Sequence, residues 1–157
     1  MDQGGIIQYM TDTFTGIDLL RPSDGPGAGD TFIYFDPQRD RDPAHSMPFA
    51  TIVTKDYGEF DNTSHLDRPD VYRLNIGVSR DTFREVMGFP PDEFDAHAKD
   101  YDFAALDRLM PHPLYATQSY VSILNPSPAT FETIKPLLAV AYERAAARHK
   151  SGQVKRD

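Results

Sequence analysis

Two stretches of this 157-residue chain bring together side chains that could do chemistry. In "LMPHPLYATQSY" (109–120), His112 stands between two prolines that stiffen its backbone. Tyr115 and Gln118 follow within reach of one pocket. A rigidly held imidazole beside a phenol is what a general acid/base pair requires, which makes His112 and Tyr115 the candidate catalytic residues. The alternative is a structural turn in which His112 hydrogen-bonds a nearby carbonyl. In "VYRLNIGV" (71–78), Arg73 and Asn75 fall on one face of a strand, ~6.8 Å apart. Arginine is suited to bidentate capture of a carboxylate or phosphate, asparagine can orient a carbonyl or amide, and Gly77 would let a ligand approach the backbone. Thr51 from a neighbouring strand, with Gln118, would complete a ligand-binding set of Arg73, Asn75, Thr51 and Gln118, and Tyr34 could close its edge. The alternative for this face is open water, with Arg73 paired to Asp67 or Asp70.

Other chemistries have little to stand on. There is no cysteine, which removes disulfides, thiolate nucleophiles and Cys-based zinc sites. The five histidines show no i, i+4 pair and no HExxH. "DPQRDRDPAH" offers Asp36, Asp40, Asp42 and His45, but Arg39 and Arg41 interleave, which favours a salt-bridged loop over a cation site. His65 with Asp61, Asp67 and Asp70 is a cluster of the same weak kind. "GPGAGD" lacks the lysine and the following helix of a phosphate loop, and no GxSxG elbow occurs. No metal and no cofactor is expected.

The elements that must position these residues follow from periodicity. Ile6, Ile7, Met10 and Phe14 at helical spacing, with Asp2 as cap, predict a first helix ending at Gly16. "IDLL" (17–20), "TFIYF" (31–35) and "FATIVT" (49–54) read as strands. "KDYGEFDNTSHLDRPD" between the last of these and "VYRLNIGV" is a long polar connection, and loops of that length in compact domains are often functional. Tyr72, Leu74, Ile76 and Val78 alternate on the greasy face of the next strand. Ser79 and Gly88 bracket a helix over "RDTFREVM". Short helical turns are expected over 92–107, then a last strand in "QSYVSILN" (118–125). A closing helix begins at Ser127 and Pro128, with a stripe from Phe131 to Ala145 and a blemish at Pro136.

Consecutive strands with short links predict an α+β two-layer sandwich: an antiparallel sheet of four to five strands with helices packed on one face. Residues 1–148 read as a single domain and 149–157 as a basic, flexible C-terminal tail. The net charge of −8 disfavours nucleic-acid backbones and anionic membranes. No apolar run reaches the length of a membrane span, and the acidic start of "MDQGGIIQYM" lacks a signal-peptide pattern, so a cytoplasmic protein is expected.

"PFATIVTKD", "LDRPDVYRLNIGVS", "LMPHPLYA" and "ILNPSPATFETIKPLLAVAYE" together resemble a family of uncharacterised proteins common in actinobacteria, over roughly residues 5–148. More distantly, the layout is similar to the MmcQ/YjbR family. That likeness implies a small α+β sandwich of the CyaY-like kind, and a DNA-binding label given by analogy, which the acidic charge opposes. The resulting expectation is a small-molecule-binding domain, monomer or homodimer, whose polar pocket lies on the sheet face and whose ligand an arginine would favour as an anion. The alternative is a metal-free enzyme of specialised metabolism using His112 for acid/base chemistry.

Overall fold

In the computed structural model, which describes the backbone of residues 1–156 and side chains through residue 152, helix α1 spans Gln3–Thr13. Asp2 caps it by accepting the Gly5 N–H at 2.8 Å, and its inner face carries Ile6 and Met10, both fully buried. Strands β1 (Ile17–Leu20), β2 (Thr31–Phe35), β3 (Ala50–Val53) and β4 (Arg73–Gly77) follow. Helix α2 (Arg80–Met87) has the expected ends: Ser79 accepts the Thr82 N–H, and Gly88 closes it at φ 85°. Short helical turns, including α3 (Phe94–His97), lead to β5 (Met110–Pro111), β6 (Tyr120–Leu124) and α4 (Pro128–Arg156).

The sheet is an α+β arrangement in the order β1-β2-β3-β4-β6-β5, with every neighbouring pair antiparallel. It therefore has six strands, where four to five were expected. The additional strand is β5, which lies inside "LMPHPLYATQSY" and pairs Met110 with Ser122 and Pro111 with Val121. Two residues are too few for a periodicity, and a strand ending in proline fits this edge position, where one side needs no ladder hydrogen bond.

Alternation along β4 divides the sheet. Leu74 and Ile76, with Val121 and Ile123 of β6, meet Phe83 of α2 and Phe131, Ile134 and Leu138 of α4 in the main core. The opposite face was expected to be either wet or a site. It is covered: Arg73 is 1% exposed and Asn75 3%. The long connection 54–72 folds back over it, anchored by Leu66, which packs with Val53, Met110 and Leu124 in a second, smaller core. The connection also braces itself. Tyr57 and Asp61 pair as a two-residue bridge, the Leu66 N–H donates to Asp56, and the Asp56 N–H donates to Asp67.

Helix α4 extends to Arg156, through the segment read as a tail from 149. Pro136 is accommodated inside it; Ser127 caps its start by accepting the Thr130 N–H at 3.1 Å. Among the described residues, no helix is long and apolar enough to cross a membrane.

Candidate functional site

Strand register places Thr51, Asn75 and Ser122 in one row across β3, β4 and β6. Asn75 Oδ1 accepts from Ser122 Oγ and from Arg73 Nε, each at 2.8 Å, and Asn75 Nδ2 donates to Thr51 Oγ1 at 2.9 Å. Arg73 continues the network into the covering loop. Its Nη1 donates to Asp61 Oδ1 at 3.1 Å and to Ser64 Oγ at 2.8 Å, and its Nη2 donates to Asp61 Oδ2 at 2.6 Å. The partner is thus Asp61, in place of the expected Asp67 or Asp70.

This arrangement decides what Arg73 can do. The bidentate edge that would capture an anion is taken by a carboxylate of the chain itself. The pair is charge-balanced, and the floor of the face is uncharged overall. By donor count, one Nη2–H of Arg73, one Nδ2–H of Asn75 and the Thr51 hydroxyl proton are left over. Beside the remaining lone pairs of Asp61 and of the hydroxyls, the floor therefore offers these spare donors.

His112 adds another. Its backbone N–H extends the β5–β6 pairing to the Tyr120 carbonyl at 2.9 Å, and its side chain is 3% exposed. The ring Nδ1 accepts the N–H groups of both Leu114 and Tyr115 at 3.0 Å. Two donors on one lone pair require the tautomer with its proton on Nε2. Burial, aided by the Arg73 charge, holds the imidazole well below its ordinary range, so the ring is neutral. At rest His112 is a hydrogen-bond donor through Nε2; neither nitrogen offers the free lone pair of a general base.

Above this floor lies a cleft of about 410 Å³, within the range of small-molecule sites. It is lined by Thr51, Asn75, Arg73, Asp61 and His112 below and mainly by aromatic side chains around, among them Phe32, Tyr34, Tyr57, Tyr115 and Tyr120. Phe60, 66% exposed, and Met47, 46% exposed, also line it. The Tyr120 hydroxyl donates to the Pro48 carbonyl at 2.6 Å, and burial pushes that phenol up to about 12. The Tyr120 ring lies on Gly77, and a Cβ there would sit 2.8 Å from Cζ.

Of the residues singled out from the sequence, Arg73, Asn75, Thr51, His112 and Tyr115 all line this cleft, as does Tyr34. Gln118 is exposed and lies outside it. Sequence reasoning did not assign Asp61, Ser64, Tyr57 or Phe60 to this pocket. The available signal was the length of the 54–72 connection and an apolar Phe60 within it. In the other acidic loop, Arg41 pairs with Asp36 and Asp18, Arg39 pairs with Asp18, and His45 pairs with Asp42. Among the described residues, no group of three or more His, Asp or Glu side chains is spaced to hold a metal ion.

The model of a family of unknown function (DUF6194) matches residues 1–154, and the chain belongs to that family. No curated protein and no solved structure matches the chain.

Proposed function

We propose that this member of the family is a small-molecule-binding domain, and that the cleft over β3, β4 and β6 seats the uncharged, apolar or aromatic body of a ligand presenting carbonyl or hydroxyl oxygens. One observation carries the reading: a buried, charge-balanced polar floor with spare hydrogen-bond donors lies beneath aromatic walls. Aromatic side chains supply contact area, and a few fixed donors supply orientation. The enzymatic alternative draws less support, because His112 has its Nδ1 lone pair engaged and, among the described residues, no carboxylate partner to orient it for proton transfer. The likeness to MmcQ/YjbR proteins remains part of the proposal through shared layout, and the net charge of −8 weighs against a nucleic-acid partner.

The test is a thermal-shift and calorimetric screen of aromatic amides and ketones against the wild-type chain, Thr51→Val, Phe60→Ser and Gln118→Ala. Hits should lose most of their stabilisation in the first two variants and keep it in Gln118→Ala. Hits that stabilise all four chains equally would place the ligand elsewhere and end the reading.

A further inference from the structure

We propose that the ligand carries a carboxylate or phosphate group, and that a second recess adjoining the cleft receives that group between Arg144 and Arg148 of α4. The inference rests on the cleft being a ligand site. The recess encloses about 470 Å³ and shares Tyr34, Met47 and Tyr120 with the cleft, so an extended molecule that bridges those side chains would reach both.

The charge pattern gives the recess its chemistry. The chain has 24 acidic side chains against 16 lysines and arginines, so a partner for any one arginine is easily found. Among the described residues, however, neither Arg144 nor Arg148 is in an ion pair. Of the acids in the facing loop, Asp36 is engaged by Arg41 and the Asp40 N–H and Asp42 by His45 and the Ala44 N–H, while the exposed Asp40 also lines the recess. Arg144 is half-buried, and its Nη1 is tied to the carbonyls of Gly77 and Val78 at the end of β4, which fixes the guanidinium at the rim. Arg148 lies one helical turn away, at the i, i+4 spacing where like charges repel.

Burial and the nearby Arg148 hold the Arg144 guanidinium below its usual range, and both arginines also act on the Tyr120 phenol that separates recess from cleft. An oxyanion between the two guanidiniums would remove the repulsion and gain charge-assisted hydrogen bonds from a preset rim. Arg73, by contrast, already has its carboxylate. The anion-binding capacity expected of the sheet face therefore belongs at its border with α4.

The experiment titrates a homologous series of ω-phenylalkanoates and their primary amides, and separately inorganic phosphate, into wild type, Arg148→Gln and Arg148→Lys. Calorimetry gives affinity, and the arginine Nε–H signals give location. Arg148 is exposed, so its variants should fold normally. The acids should bind wild type about tenfold or more tighter than their amides, as a charge-assisted hydrogen bond implies. That gap should close in Arg148→Gln, partly return in Arg148→Lys and shrink with added salt. Phosphate shifting the Arg144 and Arg148 signals more than the acids do would assign the recess to phosphate esters; the reverse would assign it to carboxylates. Acid and amide binding wild type alike overturns the inference and leaves the cleft reading standing. If neither binds but phosphate shifts both arginines, the recess stands and the cleft reading falls; if phosphate also leaves them unmoved, both fall.

Discussion

Replacing Asp61 by asparagine removes the counter-charge of Arg73 while hardly changing the shape of the loop. The guanidinium it leaves behind is 1% exposed and loses the carboxylate now 2.6 Å from Nη2. Breaking a buried pair from one side costs about 3–5 kcal/mol, because the remaining charge is desolvated without compensation. Asparagine keeps one acceptor oxygen, and the Asp61 side chain is 10% exposed, so the low end, about 3 kcal/mol, is expected. Domains of ordinary stability have about 5–15 kcal/mol, so the variant folds but with a large deficit. At a urea slope of about 2 kcal/mol/M, the midpoint falls by about 1.5 M.

A double-mutant cycle with Arg73→Met isolates the pair. Arg73→Met alone strands Asp61, Ser64 and the Asn75 Oδ1, whereas the double variant removes both charges. Its loss should fall short of the sum of the single losses by about 2 kcal/mol. Hydrogen exchange localises the effect. The Tyr57 amide, bonded to the Asp61 carbonyl, and the Leu66 amide, bonded to Asp56, should lose protection before the β4–β6 ladder does. A loss under about 1 kcal/mol for Asp61→Asn, with additivity within about 0.5 kcal/mol in the cycle, would mean that the pair does not hold the loop to the sheet.

His112 predicts a pH dependence. Its native imidazole resists protonation, so below the ordinary value of 6.5 the unfolded chain binds a proton that the native chain does not. Stability therefore falls as pH drops below that value, by up to about 1.4 kcal/mol per unit until the native ring titrates. His112→Asn, which keeps an acceptor for the Leu114 and Tyr115 N–H groups, should flatten the slope by close to one proton in denaturation series from about pH 7 to about pH 5; an unchanged slope refutes the assignment. Gly77→Ala pushes a methyl group to 2.8 Å from Tyr120 Cζ and displaces the ring from its bond to Pro48. A loss of about 1–3 kcal/mol is expected, read as a Tm decrease of several degrees, and a Tm equal to wild type would mean that the Tyr120 ring is free to move.

What the chain discloses before folding depends on how local the cause is. Ser79 and Gly88 name the ends of α2 because capping acts over three or four residues. Alternation in "VYRLNIGV" separates the Leu74 and Ile76 face from the Arg73 and Asn75 face, since a strand has only two. It cannot say what lies over the second face. That depends on Leu66 burying itself against Val53, Met110 and Leu124, a contact of distant segments within a stretch that reads as polar loop. The same limit explains the partner of Arg73. Asp67 and Asp70 are nearer in sequence, but Asp61 is the acid that the Tyr57–Asp61 turn delivers to the sheet.

The buried ion pair gives the proposed site a division of labour. Asp61 neutralises Arg73, so Arg73 builds the cleft by tying down the loop that contributes Tyr57 and Phe60, and its residual field helps keep His112 uncharged. Recognition in the cleft then falls to neutral donors: the Thr51 hydroxyl, one Asn75 N–H and the His112 Nε2–H. Hydrogen bonds from neutral donors in a covered site respond weakly to ionic strength, whereas exposed charge at Arg148 is screened over about 10 Å at 0.1 M salt. The two halves of a bound molecule should therefore separate experimentally. The contribution of the uncharged body should persist across salt concentration and across neutral pH, where His112 carries no charge to lose. The contribution of an oxyanion should fade as salt rises. A ligand whose whole affinity vanished with salt would have no anchor on β3, β4 and β6, and the cleft would then be a consequence of loop packing with no part in recognition.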